Sequence, residues 1–191
     1  MADFTDHIQQ VSDPATRRAL EAILGAVRTD LNSINNHLAA DGIITAATLS
    51  EGSTTANVAT TAFTYRIDGM PYAKAAVAAG TAPAAATINT GAATGTFYGG
   101  FALQINAAGT ISTLPGSGDQ VHESAADAYA AALAITPTAG NVIAGYFVVG
   151  AAADSAWVGG TDDLDGDGTS DSSYVAYYSV PSTLPVLTFT E

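Results

Sequence analysis

The spacing of apolar residues changes character near residue 42. Before it, Leu20, Leu24, Val27, Leu31, Ile34 and Leu38 follow one another at intervals of 4, 3, 4, 3 and 4. That is a 3.5-residue repeat, narrower than the stripe of an ordinary amphipathic helix. Asp13 followed by Pro14 reads as a cap and first helical residue, and Asp41-Gly42 supplies a stop. The pattern therefore predicts a helix from Pro14 to about Leu38. With Leu24, Leu31 and Leu38 at heptad position a, and Leu20, Val27 and Ile34 at d, leucine faces β-branched residues. That choice favours three or four strands over two. A helix of roughly 25 residues is about 38 Å long and marginal alone in water, so it needs a partner. A second copy of the chain is one partner; the helix's own domain is the other. Asn32, Asn35, Asn36 and His37 fall off the seam and are expected to be solvated.

After residue 42 the period shortens to two and turn residues recur about every ten positions. Phe63, Tyr65 and Ile67 alternate with Thr64 and Arg66, and Asp68-Gly69 joins this run to MPYAKA. Asp-Gly accepts positive φ at both positions, so the segment predicts a two-residue hairpin. FYGGFALQIN and AAGTISTL predict a second hairpin, with Phe101, Leu103 and Ile105 on one face. NVIAGYFVVG shows little alternation and suits a strand buried on both sides. SYVAYYSV is a tyrosine-rich strand, and LPVLTFTE reads as a terminal edge strand after Pro181 and Pro185. HESAADAYAAALAI, residues 122–135, interrupts the rhythm with a short Ala-rich helix capped by Ser124. KAAVAAGTAPAAATINTGAATG reads as a strand followed by a long loop. The expected architecture is mainly β, an antiparallel sandwich or barrel-like domain with one short helix over 43–191. An N-terminal α-helical coiled-coil segment over 1–42 precedes it.

Composition narrows the function classes. Of 191 residues, 40 are Ala and 19 Gly; 12% are charged, about half the usual share. Five Lys and Arg face 18 Asp and Glu, for a net charge of -13. No basic face for nucleic acid is available, and no apolar run is long enough for a membrane span. The absence of cysteine excludes disulfides and thiolate chemistry. MADFTDHIQQ has neither a positive start nor an apolar centre, so no signal peptide is expected. Arg17, Arg18 and Arg28 lie on the helix, whereas residues 43–191 carry two bases against twelve acids.

Five of those acids crowd residues 162–171. Asp163, Asp165, Asp167 and Asp171 occupy positions 1, 3, 5 and 9 of a D-x-D-x-D-G loop, with Gly168 at the turn. Converging carboxylates at this spacing suit Ca2+, which takes six to eight oxygens. The pattern is similar to calcium loops of the EF-hand and thrombospondin type-3 kinds. It departs from them at position 12, where Tyr174 replaces the bidentate Glu, and its flanks read as strands. The competing reading is a solvated acidic turn. Ser117, Asp119 and His122 are close in sequence but lack a nucleophile elbow, and a small hydrolase is the weakest reading. Trp157 with Tyr146, Tyr174, Tyr177 and Tyr178 makes either a sugar-binding patch or core and subunit contacts.

The order of these segments resembles bacteriophage virion structural proteins of the head-decoration or head-fibre type. The resemblance runs from about residue 45 to 180. It rests on Ala62, Phe63, Tyr65, Ile67, Gly69, Lys74, Ala75, Ala76, Gly80, Gly145 and Tyr146. It implies a non-enzymatic, trimeric, β-rich protein made in the host cytoplasm and attached to the outside of a capsid, with the major capsid protein as partner. The polarity of the chain adds attachment through the N-terminal segment. A tail-fibre or adhesin module that binds a host-surface glycan or receptor is the alternative.

Overall fold

The computed structural model describes residues 12–88, 95–116, 120–153, 155–165 and 172–181. Its contacts divide the chain into two compact units, Met1–Ala40 and Asp41–Glu191.

The first unit is built on α1, Pro14–Ala39. The Asp13 carboxylate accepts hydrogen bonds from the Thr16 hydroxyl and, at 2.9 Å, from the Thr16 N–H. These bonds satisfy an orphan donor of the first turn and hold Asp13 below its usual carboxylate range, the Thr16 hydroxyl contributing most.

The second unit is mainly β and entirely antiparallel. Its strands are β1 (Gly42–Thr45), β2 (Leu49–Glu51), β3 (Val58–Thr60), β4 (Phe63–Ile67), β5 (Met70–Lys74) and β6 (Val77–Thr81). They continue as β7 (Thr87–Ile88), β8 (Tyr98–Asn106), β9 (Ile111–Pro115), β10 (Asn141–Ala151), β11 (Trp157–Val158) and β12 (Ser172–Ser179). One helix, α2 (Ala125–Leu133), stands between β9 and β10. The sheets order as β1-β4-β5, β2-β3-β6, β11-β7 and β12-β10-β8-β9.

Asp68 (φ 51°) and Gly69 (φ 73°) both take positive φ in the β4–β5 turn, the two-residue geometry that matches strand twist. In this hairpin Tyr65 stands opposite Tyr72 and their rings stack at 5.4 Å. Two bonds tie the hairpin to the β8–β9 turn. Tyr65 Oη donates to the Asn106 carbonyl (2.9 Å) and Lys74 Nζ to that of Gly109 (2.7 Å).

The four-stranded sheet organises the unit. Phe101, Leu103 and Ile105 of β8 alternate with Gly100, Ala102 and Gln104. The odd-numbered side chains join Phe147, Val149 and Ala151 of β10 in one core, with Ile43, Leu49, Val58, Phe63, Tyr65 and Ile67 from the smaller sheets. Phe101 stacks on Phe147 at 4.9 Å and meets Trp157 edge-on at 5.6 Å. On the opposite face α2 lies against the sheet, and Ala128 and Ala132 are buried there. A Cβ at Gly100 would stand 2.0 Å from the Ala128 carbonyl oxygen, so the helix backbone rests directly on that glycine. Ser124 caps α2 by accepting from the Asp127 N–H (3.1 Å).

The barrel-like alternative is corrected: the sheets are open, with β12 and β9 at the two ends of the largest one. β10 is buried on both faces because the core covers one side and α2 with its flanks the other. The Ala-rich stretch after Lys74 resolves into β6 and the short β7, while 89–94 and the tail from 182 lie outside the described residues.

Candidate functional site

Three features carry the chemistry available to this chain. The first is the seam of α1. Val27 is 47% exposed, Leu31 59% and Ile34 37%, whereas Leu20 and Leu24 are half-buried. The Leu38 side chain lies outside the described residues. Ile23, which the seam spacing passes over, is 60% exposed beside Leu24 and widens the apolar stripe. Heptad reading misses it because g positions are expected to be polar. Exposed leucine, isoleucine and valine on one helical stripe form a surface that gains about 1.5–3 kcal/mol per side chain when fully buried. What this arrangement can do is associate.

The second feature is the acidic loop. Asp162, Asp163 and Asp165 are described; Asp167 and Asp171 lie outside the described residues. The loop opens as a turn after β11, where Asp162 Oδ2 accepts from the Val158 N–H (2.6 Å). Leu164 is buried, and its N–H donates to the Thr55 carbonyl (2.9 Å). The Thr55 hydroxyl in turn donates to Asp163 Oδ1. Trp157 Nε1 donates to the Asp163 carbonyl (3.1 Å), and Asp165 Oδ1 accepts from the Ser172 hydroxyl at 3.3 Å. These bonds fasten the first half of the loop onto the β unit. Among the described residues no three acidic or histidine side chains cluster as metal ligands.

The third feature is aromatic. Trp157 is fully buried against Phe101, so it belongs to the core and not to a surface patch. Tyr177 packs against the same core, its hydroxyl buried with no hydrogen-bond partner among the described residues. Burial, followed by the charge of Glu51, pushes the Tyr177 phenol well above its ordinary range. Tyr98, Tyr129, Tyr146, Tyr174 and Tyr178 collect on the other face. Tyr146 of β10 stands opposite Tyr178 of β12. Tyr129 of α2 stacks on Tyr178 at 4.0 Å and meets Tyr146 edge-on at 6.2 Å. Tyr98 and Tyr174 meet edge-on at 5.6 Å across Gly150, where a Cβ would come within 3.0 Å of both side chains. Burial raises the pKa of Tyr146 and Tyr178; neighbouring Tyr129 adds to the first, and a hydrogen bond with Tyr174 to the second. Tyr98 and Tyr129 join this face only through the fold, because their sequence positions give no shared period with β12.

His122 pairs its main chain with Tyr98 in an isolated bridge (2.9 and 3.1 Å), and its Nε2 is buried with no partner among the described residues. Ser117 and Asp119 lie outside the described residues. Among the described residues no helix is long and apolar enough to cross a membrane. Comparison of the chain with protein-family models, curated proteins and solved structures found no match.

Proposed function

We propose that this chain is a non-enzymatic bacteriophage virion protein of the head-decoration or head-fibre type. In this reading α1 joins three copies, and the β units are displayed on the outer capsid surface with the major capsid protein as partner. The observation that carries it is the exposed stripe of Ile23, Val27, Leu31 and Ile34 on a helix that forms its own compact unit. A helix with that stripe in water is a helix awaiting copies of itself, and leucine at a with β-branched residues at d sets the number at three or four. The acidic β unit supports display, since like charge keeps crowded copies soluble and apart.

The test has two stages. Light scattering at micromolar concentration is expected to give at least three times the 19.1 kDa chain mass. Imaging of particles carrying a labelled copy is then expected to place the label over the capsid. A monomer removes the first half of the proposal. Label on the tail replaces the second half with the fibre or adhesin alternative.

A further inference from the structure

The four-stranded sheet ends on a strand with an unusual edge. Among the described residues β12 is hydrogen-bonded to β10 and to no other strand. Strand edges present free N–H and C=O groups, and proteins usually guard them with lysine, proline, a bulge or a covering loop. β12 runs eight residues, SSYVAYYS, without a charge or a proline, and its register irregularity lies at Ser173, between the pairings of Ser172 and Tyr174, so Tyr174–Ser179 run in regular register. None of the residues of β8, β9 and β10 is charged either. In a chain of net charge -13, β12 itself brings no charge to this edge; the carboxylates beside the strand are Glu51, which acts on Tyr177, and Asp165, which accepts from Ser172.

The strand is also partly palindromic, with Val175 against Tyr177 as the mismatch nearest its centre. About Ala176, Tyr174 mirrors Tyr178 and Ser173 mirrors Ser179. A self-complementary segment is what a twofold contact requires, since the same patch must serve both partners. We infer that the edge of β12 away from β10 pairs antiparallel with β12 of a second copy, on a twofold through Ala176. In that register Tyr174 of each copy stands opposite Tyr178 of the other. Residues opposite one another across an antiparallel pair share a face, so the tyrosine side of the sheet continues from one copy into the next. The contact is small, of the size that forms weak encounters, and gains strength where copies are held side by side. It goes beyond the helix-mediated trimer and does not depend on α1.

Cysteine cross-linking on the full chain, which has no cysteine of its own, tests the pairing. At the twofold centre, Ala176→Cys brings two sulfurs together across Cα atoms about 4.5–5.5 Å apart, within disulfide range. Mild oxidation is expected to give a disulfide-linked dimer at high yield. Ser179→Cys, exposed on the same strand, is expected to stay largely monomeric on a denaturing gel, because its counterpart lies about 20 Å away. Mixing Tyr174→Cys with Tyr178→Cys is expected to give mixed dimers, which keeps the test alive if Ala176→Cys folds poorly. Equal cross-linking of the 176 and 179 variants, or none at any position, overturns the inference. Combining Ala176→Cys with Val27→Glu and Leu31→Lys on α1 separates it from the trimer proposal. Failure of the helix reading leaves the dimer intact, whereas failure of edge pairing removes it.

Discussion

Gly100 is the point where α2 rests on the sheet, and replacing it by alanine tests the layered arrangement. The added methyl would sit 2.0 Å from the Ala128 carbonyl oxygen and 3.0 Å from Ala132 Cβ. Ordinary contact lies near 3.5 Å, so the helix must retreat by roughly 1 Å or more. The obstructing atom is backbone, so no rotamer change relieves the clash. Overpacking of this kind costs about 1–3 kcal/mol, and a retreating α2 also uncovers Ala128 and Ala132, both fully buried. A loss of about 3 kcal/mol is expected, a large part of a typical domain's stability. Gly100 does not take positive φ, so backbone strain makes no contribution. Gly140→Ala is the matching control: nothing lies within 4 Å of its Cβ, but its φ is +75°. It is expected to cost about 1–2 kcal/mol from conformation alone. Urea unfolding followed by circular dichroism reads both, with an unchanged slope and a lower midpoint for Gly100→Ala. A loss below about 1 kcal/mol would refute the contact between α2 and β8.

Alkaline titration reads the buried phenols. Tyr65, Tyr146, Tyr177 and Tyr178 are all raised, chiefly by burial, so the folded state holds their protons more tightly than the unfolded chain does. Their contribution is fully present below about pH 10 and is lost as pH rises from there through the folded values. Tyr177→Phe is expected to flatten that fall and to leave stability at pH 7 unchanged or higher by up to about 1 kcal/mol, because it removes a buried hydroxyl without a partner among the described residues. An unchanged alkaline slope would assign the effect elsewhere. Gly25→Ala, open on all sides within α1, is expected to raise helix stability by about 0.5–1 kcal/mol, and a drop in melting temperature would contradict a solvated position. Asp163→Ala is expected to destabilise by about 1–2 kcal/mol even in chelator, because it removes the acceptor of the Thr55 hydroxyl. A calcium site at Asp163, Asp165, Asp167 and Asp171 predicts a higher melting temperature when Ca2+ is restored to stripped protein, about 2.7 kcal/mol at a hundredfold excess over Kd. No shift leaves the loop with its structural role alone.

Local signals were legible wherever a residue type has one physical use. Asp68-Gly69 marks its turn because few pairs accept two positive φ values. Ser124 marks α2 and Asp13 marks α1 because an orphan N–H needs an acceptor. The alternation in β4 and β8 separates core from cover. What stayed hidden depends on distant partners. β1, β2 and β3 are short, and their Thr45, Ser50, Ala59 and Thr60 suit several environments. β7 and β11 pair Ile88 with Trp157, nearly seventy positions apart, so neither strand exists without the other. Trp157 reads from the sequence as a core or subunit-contact residue more readily than as a sugar-binding one, and its packing on Phe101 places it in the core. Thr55 and Asp163, likewise remote, show that the acidic loop is anchored, which spacing alone does not reveal. The seam was legible, but its width was not, because Ile23 lies outside the a/d pattern.

The central claim is that α1 holds copies of this chain together, and sedimentation equilibrium tests it most directly. The wild-type chain is compared with Val27→Glu plus Leu31→Lys, which charges the seam while the i, i+4 pair preserves the helix. At least three chains per particle are expected for the wild type and a clear loss of mass for the variant, with unchanged helical content. A wild-type monomer, or equal masses for both proteins, would contradict it.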